Sequence, residues 1–317
     1  MRVLVALDGS PAADAARLAV ASLPLPSGTV IEVIGVAEPT IDHLIPTLAP
    51  NPSLGAADDR LAIDLEALLD EAAASLERTG IVVRRTLLIG RPASEIVAAA
   101  RELRAGLVVV GSRGRGPFAS LLLGSVSAEV VDHAPCPVLV VRGPLTGPAL
   151  VATDGSPSAE AAVSYLVAER LLVGKPVQVL SVAPGTPMPL AYDTTGITDI
   201  AVDAFGRKHE DAIDAARRHA FDAARRLRAG GYEATWATSE GDAAREIAAA
   251  ARHFGCGLVV TGSRGLTGLS RVVLGSVARD VLLHAGVSVL VVHEPLRARR
   301  PEPTRGRLAR AGEPVAG

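Results

Sequence analysis

Short runs of β-branched and aliphatic residues alternate along this chain with longer alanine-rich stretches whose apolar positions recur every three to four residues. Apolar runs bounded by turn residues predict strands. In the first half they cover Val3–Leu7, Val30–Val36, Val82–Leu88, Leu107–Val110 and Val138–Val141. The segments between them, Pro11–Ser22, Ala56–Thr79, Ala93–Leu103 and Val126–His133, carry helical periodicity. The second half repeats the order, with strands near Leu150–Thr153, Val177–Val182, Glu233–Ala237, Leu258–Thr261 and Val287–Val292. Such alternation predicts an α/β fold, each half a five-stranded parallel sheet flanked by helices on both faces. Ser10-Pro11 and Ser156-Pro157 read as N-cap serines followed by proline in the first helical turn.

The halves are copies. Asp8-Gly9-Ser10-Pro11 recurs as Asp154-Gly155-Ser156-Pro157 at an offset of 146 residues. Glu95-Ile96 recurs as Glu246-Ile247, and His133-Ala134 as His284-Ala285, at an offset of 151. A net insertion of five residues therefore falls between the Val36/Val182 and Gly80/Gly231 pairs. The expected units are residues 1–143 and 148–293, joined through the Gly- and Pro-containing stretch around Gly143–Pro148. From residue 294 to 317 periodicity ends, and six arginines between Arg297 and Arg310, with Pro301 and Pro303 among them, read as a basic, disordered, solvated tail.

One constellation carries chemistry. Gly111-Ser112-Arg113-Gly114, nine further residues, then Gly124-Ser125, is repeated as Gly262-Ser263-Arg264-Gly265, nine residues, Gly275-Ser276. Glycines let backbone N–H groups approach a phosphate, and a following helix N-terminus adds free amides and the positive end of its dipole. Ligands of open parallel sheets bind beyond the carboxyl ends of strands where strand order reverses. Asp8 and Gly111 follow the first and fourth strands, so both belong to that edge.

Composition narrows the partners. A formal net charge of −2 and 3% aromatic residues give no basis for nucleic-acid binding. No apolar run reaches the roughly 18 residues that span a bilayer. The opening run Val3–Leu7 is cut by Asp8, too short for a secretory core, so a cytoplasmic location is expected. Cys136 and Cys256 occupy unrelated repeat positions and read as buried thiols rather than a disulfide. His133 and His284 match in the repeat but sit near a helix end, where histidine suits the dipole. No His/Cys/Asp/Glu spacing reads as a metal site.

With the Asp-Gly-Ser-Pro strand ends, both glycine motifs and the His133–Val141 segment in view, the chain resembles the universal stress protein family in its tandem form. The resemblance implies Rossmann-like, adenine-nucleotide-binding domains and a bound ATP with magnesium as phosphate counter-ion. By position, Asp8, Gly9, Asp154 and Gly155 would meet the ribose and adenine end, and the backbone at Val36 and Val182 the adenine edge. Gly111, Ser112, Arg113, Gly114, Arg115 and Gly116 would wrap the ribose and first phosphates, as would Gly262, Ser263, Arg264, Gly265, Leu266 and Gly268. Gly124, Ser125, Val126 and Ser127, with Gly275, Ser276 and Val277, would hold the outer phosphates. Ala278 replaces Ser127 in the second copy, so a hydroxyl near the phosphates is expected only in the first.

The resemblance also implies pairing of the two halves through their last strands, with a homodimer of tandems as a further expectation. Its functional implication is a nucleotide-responsive regulator of the stress response, whose downstream protein partner the residues do not name. The alternative is a slow ATP-hydrolysing or adenylating enzyme. Against it, the Walker lysine motif is missing, and so is a Ser-Gly-Gly-x-Asp-Ser loop after the first strand.

Overall fold

In the computed structural model, residues 1–38, 52–114, 123–185, 198–265 and 274–294 are described. The first half runs β1 (Arg2–Ala6), α1 (Pro11–Ser22), β2 (Thr29–Ala37), α2 (Pro52–Leu76), β3 (Ile81–Ile89), α3 (Pro92–Glu102), β4 (Leu107–Gly111), α4 (Ser125–His133) and β5 (Val138–Val141). The second runs β6 (Ala149–Ala152), α5 (Pro157–Glu169), β7 (Val177–Pro184), α6 (Thr198–Ala229), β8 (Ala234–Gly241), α7 (Ala243–His253), β9 (Leu258–Gly262), α8 (Ser276–His284) and β10 (Ser288–Val292). The basic tail beyond 294 lies outside the described residues.

All ten strands form one sheet, ordered β3-β2-β1-β4-β5-β10-β9-β6-β7-β8. Within each half the pairing is parallel; β5 and β10 meet antiparallel, Leu290 opposite Leu139. Every residue of both central strands is buried. An exposed edge of this kind would invite association, and the two halves cover it for each other.

Alternation sorts strand side chains onto two faces. Val3 and Val5 belong to the core layer shared with residues of α1, α2, α5 and α6, while Leu4 and Val108 belong to the opposite layer, shared with residues of α3, α4, α7 and α8. Each core layer runs without a break through both halves. Burial of a Val or Leu side chain contributes about 1.5–3 kcal/mol, so this shared apolar layer dominates the stability.

One strand is much longer than its apolar pattern indicates. β8 continues through Thr238, Ser239 and Glu240 to pair Gly241 with Pro184. It lies at the sheet edge with those residues partly or fully exposed, so backbone pairing rather than burial extends it. Among the described residues, no helix is long and apolar enough to cross a membrane.

Candidate functional site

In each half the chain builds outward from the first strand and then returns to its other side, so strand order reverses between β1 and β4 and between β6 and β9. A cleft opens above each reversal. The first measures about 370 Å³ and the second about 160 Å³. The larger falls in the range of small-ligand pockets, about 300–1,000 Å³.

Asp8, Val36, Gly111, Arg113, Gly114, Gly124, Ser125, Val126 and Ser127 line the first cleft. Asp154, Val182, Gly262, Arg264, Gly265, Gly275, Ser276 and Val277 line the second. Arg115, Gly116, Leu266 and Gly268 lie outside the described residues. Gly9 and Gly155 make the turns after the first strands, at φ 76° and 72°. Ser112 and Ser263 are buried beneath the loops, their N–H groups donating to the carbonyls of Val141 and Val292.

Local hydrogen bonds hold the loops in shape. Asp8 accepts the Ser10 N–H at 2.9 Å, and Asp154 the Ser156 N–H at 3.0 Å. Ser10 caps α1 by accepting the Ala13 N–H, and its hydroxyl donates to the Arg113 carbonyl. Ser156 repeats both contacts with Ala159 and Arg264. The cap serines thus tie the α1 and α5 starts to the glycine loops. Gly124 N–H donates to Ser112 O, and Gly275 N–H to Ser263 O, closing each loop onto the next helix start.

The helix starts differ in a telling way. α1 and α5 have a serine cap and an acidic residue in the first turn, Asp14 or Glu160. α4 and α8, which open into the clefts, begin at Gly124 and Gly275 with no side-chain cap and no acidic residue in the first turn. Their first-turn N–H groups and dipole ends are therefore directed at the cleft, an anion-binding arrangement.

Two of these lining positions also have structural roles. Ser127, which lines the first cleft, is buried, and its hydroxyl donates to the Gly111 carbonyl at 2.6 Å. It positions β4 against α4. Gly111 and Gly262 line the clefts, yet their lack of a side chain is dictated by packing. A Cβ on Gly111 would lie 2.6 Å from the Ala12 carbonyl carbon, and one on Gly262 2.5 Å from that of Ser158.

Several lining residues escaped sequence reasoning. Ile96 and Pro92 of α3, with Ile34 and Glu38 of β2 and its end, complete the first cleft; Ile247 and Ala243 of α7, with Thr153 and Thr261, complete the second. Their signal was the recurrence of Glu95-Ile96 as Glu246-Ile247, which served only to align the repeats. His133 and His284 place Nδ1 2.9 Å from the carbonyls of Glu129 and Asp280 in the same last helical turn. Cys136 and Cys256 are buried free thiols, and desolvation pushes the Cys136 thiol up to about 12. Among the described residues, no three His, Cys, Asp or Glu gather as a metal site.

Comparison with known proteins agrees with this architecture. The family model described as "Universal stress protein family" matches residues 1–142 and again 147–293. A universal stress protein of Mycobacterium tuberculosis is 30% identical over 217 residues, covering 66% of this chain and 74% of the relative. Another from the same organism is 29% identical over an alignment of 317 residues, covering 92% and 97%. A universal stress protein of Thermus aquaticus is 37% identical over 141 residues, 44% of this chain and 97% of its own length. Among solved structures, a universal stress protein from Archaeoglobus fulgidus superposes with a TM-score of 0.59 at 20% identity, covering 92% of this chain and 98% of that one.

Proposed function

The chain belongs to the universal stress protein family, and from that premise we propose that each half binds one ATP and that the bound nucleotide tunes a regulatory conformation or assembly in the stress response. The observation that carries this reading is the pair of helix starts, at Gly124 and Gly275, that lack a side-chain cap and open into clefts. The free amides of α4 and α8 suit the outer phosphates. The glycine loops at Arg113-Gly114 and Arg264-Gly265 suit the inner phosphates and ribose.

Asp8 and Asp154 supply acceptors for ribose hydroxyls. Val36 and Val182 stand beyond the last ladder bonds to the first strands, Leu7 N–H to Ile34 O and Thr153 N–H to Leu180 O, so their backbone is available to an adenine edge. Ile96 and Ile247 provide apolar cover for the base. Magnesium would be held by the phosphates and water, the usual habit of this ion.

A regulator rather than a fast catalyst is the reading that the lining favours. Among the described residues, the ionisable side chains lining the first cleft are Asp8, Glu38 and Arg113, and those lining the second are Asp154 and Arg264. Arginine is a fixed cation, and efficient proton transfer calls for a group whose pKa lies near the working pH. The test is to denature purified protein, identify released nucleotide by chromatography, and titrate the stripped chain with Mg-ATP calorimetrically. Two sites per chain at micromolar concentration are expected; no adenine-nucleotide binding would overturn the reading.

A further inference from the structure

The repeat offset sets Arg142 and His293 at the same point of the two halves, each one residue past its last strand. Antiparallel pairing of β5 with β10 carries both across the midline. Arg142 Nη2 donates to the carbonyl of Leu282, in the last turn of α8, at 2.5 Å. His293 places Nε2 2.9 Å from the carbonyl of Val131, in the last turn of α4, and Nδ1 3.1 Å from the Cys136 carbonyl. Val131 and Leu282 are themselves equivalent positions. Each half therefore caps the carboxyl end of the other's cleft-facing helix, where unbonded carbonyls and the negative dipole end favour a cationic donor.

The two caps differ in chemistry. Arginine is protonated at any working pH, whereas histidine titrates near neutrality. Both ring nitrogens of His293 face carbonyl oxygens, which only accept. Both contacts are hydrogen bonds only when both nitrogens carry a proton; the neutral ring donates one and sets a lone pair against the other oxygen.

Burial and the Arg264 cation oppose protonation and pull the His293 pKa below 6.5, while Asp132 of α4 and the two carbonyls favour it. Arg279 of α8 shares Asp132, at 3.3 Å, and Glu294 is paired with Arg264 at 3.2 Å. The Cys136 thiol, pushed to about 12 by burial, stays protonated throughout. From this cap to the second cleft the path is short: Ser263 N–H donates to Val292 O, and Arg264 lines the cleft.

We propose that His293 is a proton-operated clasp between the two halves that acts on the second cleft through Arg264, while Arg142 holds the equivalent point of the first cleft unchanged at any pH. Its effect on the clefts rests on the nucleotide reading above. A proton on His293 adds positive charge beside Arg264 and strengthens the hold on a polyphosphate; reciprocally, bound polyphosphate favours the protonated ring. The affinity of the second cleft relative to the first rises about two- to fivefold between pH 8 and pH 5.5, the size expected of one added charge at a distance in a partly solvated site.

The test titrates ATP into the full chain at both pH values, using Gly114→Val to isolate the second cleft and Gly265→Val to isolate the first. Protonation of ATP itself is common to both and cancels in the ratio. The ratio should rise on acidification and stay flat in backgrounds carrying His293→Gln or His293→Arg. An unchanged ratio in the histidine background, or a rise that survives both replacements, overturns the link to the cleft.

Thermal unfolding without nucleotide tests the clasp separately from the nucleotide reading. Protonation completes the second contact but places a charge in a buried site beside Arg264, and burial outweighs the two carbonyls, so the folded-state pKa lies below 6.5; the stability that His293 contributes is therefore complete above pH 6.5 and is lost as pH falls toward the folded value. The native chain should therefore lose Tm relative to His293→Gln between pH 7 and pH 5, and parallel curves would overturn the clasp whether or not ATP binds.

Discussion

The carboxylate of Asp8 rests against Gly114: a Cβ on that glycine would come within 2.7 Å of Asp8 Oδ2. Asp154 and Gly265 repeat the relationship at 2.9 Å. The first-strand aspartate and the glycine loop, more than 100 residues apart in each half, therefore form one unit. The other oxygen of each aspartate accepts the cap serine's N–H, which holds the carboxylate against the loop in the native chain.

Replacing Gly114 with Val should push Asp8 out of the first cleft while leaving the fold intact, because residue 114 is exposed and the clash involves a side chain. Calorimetry should record at least a tenfold loss of ATP affinity in that cleft, with unfolding free energy within about 1 kcal/mol of the native chain. Gly265→Val should do the same in the second cleft. Undiminished binding to both variants would remove the two aspartates from the site.

Gly111→Ala should behave differently although it belongs to the same motif. Its Cβ would strike the backbone of α1 at Ala12, which cannot swing aside. Overpacking of this kind costs about 1–3 kcal/mol or more. Urea denaturation should therefore show a lower midpoint for Gly111→Ala than for Gly114→Ala.

Ser127→Ala should cost stability rather than affinity. It removes a buried hydrogen bond to the Gly111 carbonyl, worth about 1–2 kcal/mol when the acceptor is left behind. The hydroxyl proton is not directed at a ligand, so ATP affinity of the first cleft should change by less than about threefold, roughly 0.6 kcal/mol. Titrations of Gly265→Val and Gly114→Val then measure any difference in affinity between the two clefts directly.

Leu139 and Leu290 lie opposite each other at the midline, both fully buried. Truncating either to Ala should destabilise the chain by about 2–5 kcal/mol. The double variant should fall short of the sum, since the two deletions open one shared cavity. Additive losses in chemical denaturation would mean that the halves do not support each other through this pair.

Cys136 should resist thiol reagents in the folded protein. With its pKa pushed to about 12, the thiolate is roughly one part in ten thousand at pH 8. Reaction with an aromatic disulfide should follow global unfolding, and fast labelling of Cys136 in the native state would contradict its burial.

Read as a string, the residues establish the strands, the duplication, the aspartates at the strand ends and the glycine loops. These are printed locally: burial on a pleated sheet enforces runs of Val and Leu, and close backbone approach enforces glycine. The polar end of β8 left no such mark, because an exposed edge strand is extended by its neighbour's backbone and not by its own side chains.

Tertiary structure alone decided which partner each side chain meets. Ile96 has the same helical spacing as a core residue, and only the packing of α3 beside β2 turns it into a cleft wall. The Ser127 hydroxyl gains the Gly111 carbonyl as its partner only because β4 and α4 come together. Arg142 and His293 sit in unremarkable positions after strands; the antiparallel direction of β5 against β10 makes each a cap on the opposite half. Local periodicity reports what a residue must be buried from, whereas strand order and direction set what it is buried against.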